Sequence, residues 1–265
     1  MKAIILIAVA LVLVGNVGYA EEILSLEASY WWSETSMELR TNSDTAGLGT
    51  HFTHQDLGWE PKQDVGVGRL GISTGFMMLR FEDFALHYAG TVTLTQNVVI
   101  GDTTYLVTTT LETRYRMESY DIDMLFSVVP FTKLWLGVGG SLRVVDYHLY
   151  AHGTAATLPP QERTEEVRTQ APLVAPCVSA RIRPFPYLSF SASLTAFAYE
   201  FSDSDLFLHR YVRFQFAVGV HPIPFLTIQA GLFSNTLDFE DADPKNGFHY
   251  IESAAGPFVS VVFSF

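Results

Sequence analysis

An all-β fold, an antiparallel barrel of about ten strands that crosses a lipid bilayer, is what the sequence predicts. Three observations carry the prediction. The last residues alternate, with Val259, Val261, Phe263 and Phe265 on one strand face and Ser260 and Ser264 on the other, and the chain stops on an aromatic. Hydrophobic residues make up 48% of the chain and mean hydropathy is +0.20. Yet past residue 20 no stretch is long and apolar enough to span as a helix, which takes about 20 residues. Apolar residues at alternate positions of many strands reconcile these facts, because every backbone polar group in lipid must be paired.

The first element is a leader. Lys2 precedes an uninterrupted apolar run from Ala3 to Val14, and Gly18-Tyr19-Ala20 supplies small residues for cleavage. This is the layout of a secretory signal peptide, so residues 1–20 are expected to be removed and 21–265 to form one barrel domain. Cys177 is the lone cysteine, which excludes an internal disulfide framework. A net charge of −12 argues against a nucleic-acid partner.

The strands follow in order. Leu24, Leu26, Ala28, Tyr30 and Trp32 share the apolar face of the first. Residues 33–64 lose the pattern and read as a long loop, outside the cell or folded into the mouth. Leu70, Ile72, Thr74, Phe76 and Met78 outline the second strand, Arg80 to Asp83 a turn, and Phe84, Leu86, Tyr88, Val92 and Leu94 the third. Gly101-Asp102 is a hairpin signal. The fourth strand puts Tyr105, Val107, Leu111, Tyr115 and Met117 toward lipid, then resumes in opposite phase with Tyr120, Ile122, Met124 and Phe126. One extra residue near Glu118-Ser119 would restore the register, so a β-bulge is expected there.

Three segments repeat a theme: Val129-Pro130-Phe131-Thr132-Lys133-Leu134, Arg183-Pro184-Phe185-Pro186-Tyr187-Leu188 and His221-Pro222-Ile223-Pro224-Phe225-Leu226. Proline cannot donate to a ladder, so these are short periplasmic turns. Outward faces follow on Leu134, Leu136, Val138 and Leu142, on Leu188, Phe190, Ala192 and Leu194, and on Leu226, Ile228, Ala230 and Leu232. Residues 151–170 and 239–249 read as outer loops. The count is about ten strands with both ends periplasmic; about eight is the alternative, if 65–100 holds one long strand.

The C-terminal strand, with Val261, Phe263 and Phe265, resembles the signal by which bacterial outer-membrane β-barrels are recognised for assembly. The segment Thr50 to Gly58 looks like a loop motif of uncharacterised barrels of that kind. The resemblance implies a location in the bacterial outer membrane, with lipid, lipopolysaccharide and the barrel-assembly machinery as partners. By the same analogy the expected function is a narrow, porin-like path for passive diffusion of small solutes, with loop 33–64 at its mouth. The alternative is a non-conducting structural or adhesive barrel that presents outer loops.

Charges at alternate positions are the candidate site. Glu112, Arg114, Arg116, Asp121, Asp123, Arg143, Arg181 and Arg213 are expected inside, as pore lining or as an ion-pair plug, since on the lipid face each would cost a few kcal/mol. A barrel this narrow can be filled by side chains, which favours the plug. His51, His54 and Asp56 lack a second cluster to complete a metal shell, so they read as a solvated loop. Asp241 to Gly247 with Glu252 only partly fits a calcium loop and reads as an acidic hairpin tip. His209 with Ser202, Ser204 and Glu200 is the nearest approach to a nucleophile and base, and reads instead as a rim. No enzyme, no cofactor and no metal are expected.

Overall fold

The computed structural model describes residues 23–41, 50–74, 76–131, 133–198, 206–241 and 248–265. The expected signal peptide, residues 1–20, the segment 242–247 expected to form an acidic tip, and residues 199–205, with Glu200, Ser202 and Ser204, lie outside the described residues, as does the side chain of His209.

The strands are β1 (Leu24–Thr41), β2 (His51–Thr53), β3 (Lys62–Ser73), β4 (Met77–Thr93), β5 (Val98–Ile100), β6 (Thr103–Tyr105) and β7 (Thr110–Phe131). They continue with β8 (Leu134–Ala155), β9 (Gln161–Phe185), β10 (Leu188–Phe197), β11 (Leu206–Ile223), β12 (Leu226–Asp241) and β13 (Phe248–Ser264). Ten of them close a ring, β8-β7-β4-β3-β1-β13-β12-β11-β10-β9 and back to β8, every pair antiparallel. β2, β5 and β6 stand outside the ring. Closure leaves no edge, the condition for a sheet in lipid.

The seam is the C-terminal strand. Residues 258–264 of β13 pair with 25–31 of β1, and the Phe265 carbonyl accepts from the amides of Ile23 and Leu24 at 2.8 and 3.0 Å. The three proline-bearing segments make tight hairpins, and register irregularities sit beside them, between Ser127 and Val129, Leu188 and Phe190, and Val220 and Ile223.

A belt of exposed apolar residues circles the lower wall: Leu26, Tyr30 and Trp32 on β1, Tyr120, Ile122, Met124 and Phe126 on β7, Val138 and Leu142 on β8, Val178 and Ile182 on β9. Phe214, Phe216, Ile228, Leu232, Val259, Val261 and Phe263 continue it around the ring. This is the lipid-facing band. Above it the strands run on into water, so the barrel is taller than the membrane.

Several expectations are corrected. No bulge lies at Glu118-Ser119: β7 pairs with both β4 and β8 in unbroken register from Glu112 to Phe126. The apolar face changes sides because the strand leaves the membrane, so the interior above the belt is the apolar side and the exterior is wet. Leu111, Tyr115 and Met117, like Phe84, Leu86 and Tyr88, point inward. β3 ends at Ser73 and β4 begins at Met77, so Arg80–Asp83 run mid-strand and are not the turn between them. Tyr105 belongs to the short β5–β6 hairpin. Its turn is Gly101-Asp102, as expected, with glycine at φ +53° where a side chain would be strained. Residues 151–170 are mostly strand, with a tip of 156–160. Their polar composition reads as loop, but it is the wet outer face of a ribbon whose inner face buries Ala151, Ala155, Val167 and Ala171.

Candidate functional site

The barrel axis is the place to look, because inward side chains from every strand meet there. At membrane depth they form a layer of four arginines and four carboxylates. Arg69 on β3 bonds Glu27 on β1 at 2.7 Å and also holds Glu82 on β4. Arg80 on β4 reaches Asp123 on β7 at 2.5 and 2.8 Å. Arg213 on β11 crosses the lumen to Asp121 at 2.8 Å and to Asp123 at 2.7 Å, and lies 3.5 Å from Glu82. Arg143 on β8 donates to Ser119 at 2.7 Å and to Asn235 on β12 at 2.5 Å, with Asp121 at 3.4 Å.

These contacts join strands on opposite sides of the ring. Asp121, Asp123, Arg143 and Arg213 are at most 3% exposed, which a water-filled pore would not allow. Charges so buried persist only when paired and hydrogen-bonded, and this layer balances them one for one.

An aromatic layer lies above. Trp31 meets Phe233 edge-on at 4.7 Å, and Tyr147 lies 4.8 Å from Tyr250 and 4.9 Å from Phe239. The Arg143 guanidinium caps the rings of Phe84 and Tyr211 at 5.1 and 5.2 Å, tying the two layers together. Glu252 is fully buried among these rings, accepting from the Tyr250 hydroxyl and from Asn235 at 3.4 Å. Burial pushes its carboxyl above the usual range. It is an interior strand residue and no part of a calcium loop.

A lid closes the top. The segment from His51 to Pro61 turns down into the mouth, so part of the expected 33–64 loop is folded inside. Trp59 stacks on Tyr88 at 5.7 Å and meets the tilted ring of Tyr115 at 5.4 Å, and its indole N–H donates to Thr113 at 2.9 Å. Thr113 in turn donates to the Leu57 carbonyl at 3.2 Å. Gly90 faces this backbone, where a Cβ would lie 2.2 Å from the Leu57 oxygen, so only glycine fits. The β5–β6 hairpin lies alongside: Val99 and Thr50 exchange hydrogen bonds, and Tyr105 donates to the Ala151 carbonyl at 3.0 Å. Asp56 closes the lid turn by accepting from the Thr53 amide and hydroxyl at 2.9 and 2.7 Å, which lowers its pKa. His51 pairs with Glu38 at 3.2 Å.

Of the eight charges singled out in the sequence, Asp121, Asp123, Arg143 and Arg213 converge in the buried layer. Arg181 faces inward at the end of the barrel that carries the proline-bearing turns. Glu112, Arg114 and Arg116 do not line the interior. They lie on the outer wall above the belt, where Arg114 pairs with Glu112 at 2.6 Å and Arg116 with Glu118. Their parity with Tyr120 and Ile122 put them outside; only an assumed bulge put them in. Glu27, Arg69, Arg80, Glu82 and Asn235 were missed. The signal for Arg80 and Glu82 was alternation itself, which a strand beginning at Met77 would have extended through both.

No family model matches the chain, and no curated protein matches it in sequence. Solved structures do. The chain is similar to the outer membrane protease OmpT from Escherichia coli, at TM-score 0.62 and 9% identity over 94% of this chain and 99% of that one. It also matches the toluene transporter TodX from Pseudomonas putida, at TM-score 0.37 and 8% identity over 93% and 91%. A third match is the attachment invasion locus protein Ail of Yersinia pestis, at TM-score 0.28 and 10% identity over 89% and 99%. The first likeness establishes the fold, and the apolar belt establishes the environment. The chain has the fold of bacterial outer-membrane β-barrels, with ten strands in its ring.

Proposed function

We propose that this is a non-conducting outer-membrane barrel that acts through its extracellular wall and ribbons, as a structural or adhesive surface. The observation that supports this best is the interior: an ion-pair layer, an aromatic layer and a lid lie in series across one lumen. A solute would have to break buried Arg–carboxylate contacts, each costing about 3–5 kcal/mol to leave half-paired. Passive diffusion along a polar wall, the leading expectation from sequence, has no wetted wall at this depth to use.

The surface offered outward is the β8–β9 ribbon with the adjoining wall of β7, where Glu112, Arg114, Arg116 and Glu118 alternate in water. Outer-leaflet lipopolysaccharide and a macromolecular partner are the ligands this mixed-charge face would meet. The barrel-assembly machinery would read Val261, Phe263 and Phe265, which stand exposed on the outer face of the closing strand. The protein is a binding surface in this reading and not an enzyme, and Glu21 is its first mature residue.

Planar-bilayer recording of the folded protein tests it. No unitary current is expected from the intact chain, or after deletion of residues 50–61, because two layers remain beneath the lid. Steady current in the intact protein would overturn the reading. Current appearing only on deletion would make the barrel a gated channel.

A further inference from the structure

Glycine inside a strand weakens it, and it marks a place where a ligand or another backbone comes close. Many strand glycines here face a neighbour in the barrel itself. At Gly71, Gly90, Gly139, Gly231 and Gly256 an added Cβ would fall within 2.3 Å of another atom. Gly66 and Gly68, on the outer face of β3, are different: a Cβ at either would meet nothing within 4 Å. No described residue fills the space over them.

Strand register shows what surrounds that space. Gly68 stands between Asp83 on β4 and Ala28 on β1, with Tyr120 beyond the first and Val261 beyond the second. Gly68 and Ala28 floor an apolar trough of about 570 Å³ in the lipid-facing belt, bordered toward the proline-bearing turns by Leu26, Leu70 and Phe263. Gly66, opposite Tyr30, leaves the wall open above it. The flanking tyrosines are tied from above. The Tyr30 hydroxyl donates to Asp64, and the Tyr120 hydroxyl donates to Glu118 at 3.4 Å.

One side chain in the trough is out of keeping with lipid. Asp83 shares the row of lipid-facing Tyr120, and no described residue hydrogen-bonds or pairs with it; the charge acting on it is that of Glu118, which repels it. An ionisable group facing the membrane is costly, and it marks a site with a partner to find. A second barrel does not supply one. A two-fold contact is self-complementary, so it would set trough against trough and Asp83 near its own copy. A plain phospholipid chain would fill the trough but carries no donor. An acyl chain hydroxylated at its third carbon, as in lipopolysaccharide, carries one just beneath the headgroup. Asp83 lies at that level, in the upper row of the trough and one row below Glu118.

We propose that this trough binds a hydroxylated acyl chain of one lipopolysaccharide molecule, with the chain hydroxyl donating to the Asp83 carboxylate. The proposal rests on the reading above that the upper wall is extracellular, and it adds a lipid site to that wall within the belt.

Native mass spectrometry of the folded mature chain in detergent tests it, with lipid A, the acylated part of lipopolysaccharide, and phosphatidylglycerol offered at equal concentration. Retention of one lipid A per barrel is expected, without phosphatidylglycerol. Gly68→Leu should fill the trough and lower retention by about tenfold or more. The open space over residue 68 lets this variant fold. Asp83→Leu removes the acceptor while making the trough more apolar. It should lower retention by about tenfold, the weight of a hydrogen bond to a charged group. Asp83→Asn keeps an acceptor and should lose about two- to threefold. Leu194→Ala, on the belt at β10, should change nothing. Heat-modifiable gel mobility verifies that each variant is folded. Equal retention of phosphatidylglycerol would overturn the proposal, as would unchanged or increased retention in folded Asp83→Leu or Gly68→Leu, or a two-barrel assembly in place of the lipid complex. Planar-bilayer current would sink the non-conducting reading and leave these results standing, so the two fail separately.

Discussion

The stretch of barrel inside the membrane and the stretch above it are made by the same strands, yet they are built inside out relative to each other. Within the belt, β7 sends Tyr120, Ile122 and Met124 outward to lipid and Asp121 and Asp123 inward. Above it the same strand sends Arg114 and Arg116 outward to water and Tyr115 and Met117 inward. β1 inverts as well, from Leu26 and Tyr30 outside to Met37 and Leu39 inside. The strand geometry is constant through the change. What changes is the outer solvent. Lipid accepts apolar side chains and leaves the narrow lumen to paired charges, whereas water leaves the lumen to a conventional apolar core.

Perturbing the two regions should therefore have unequal consequences. The largest effect is expected from Arg213→Met, which removes the shared partner of Asp121 and Asp123 at membrane depth and leaves Arg143 at 3.4 Å from the first and Arg80 on the second. It should lower unfolding stability by about 3–5 kcal/mol, read from urea unfolding of the folded barrel in detergent. A loss below about 1 kcal/mol would mean that the layer is hydrated rather than sealed. Trp59→Ala comes next. It removes the ring that pins the lid, at a local cost of about 3 kcal/mol. Limited proteolysis should then cut within residues 50–61 while the barrel keeps its heat-modifiable mobility.

Glu252→Gln tests the upper core through pH. Burial raises the Glu252 pKa in the folded state above its unfolded value, so the folded state binds the extra proton. That carboxyl therefore costs no stability below the ordinary carboxylate range and an increasing amount as pH rises through its folded pKa. The variant mimics the protonated form. It should match the unmodified protein near pH 4 and exceed it in stability at pH 7, and a crossing in the opposite sense would refute the assignment. The smallest change is expected on the outer wall. Arg116→Ala breaks an exposed pair with Glu118 and should shift stability by no more than about 0.5 kcal/mol.

Much of the fold was legible in one dimension. The three proline-bearing turns, the outward faces of β8, β10 and β12 and the terminal strand all lie where alternation places them, because a side-chain period of two is a property of the strand alone. Half of the candidate site was legible for the same reason: Asp121, Asp123, Arg143 and Arg213 are charges opposite apolar neighbours within the belt. Glu112, Arg114 and Arg116 were misplaced because a change of apolar face looks the same whether a residue has been inserted or the solvent has changed. The loops at 33–64 and 151–170 were overextended on the same ground, since a strand in water has a polar outer face and is composed like a loop.

The sequence by itself determined the class of fold, the direction of most belt-facing side chains and the seam at Phe265, all of which follow from local periodicity and from the need to satisfy backbone groups in lipid. Only the tertiary structure decided that the lumen is closed. Arg213 meets Asp121 and Asp123 across about 90 residues of chain, and Trp59 finds Thr113 across 54. Such partners are set by the curvature and shear of the closed ring, which bring inward faces of distant strands to one axis and which no single strand encodes.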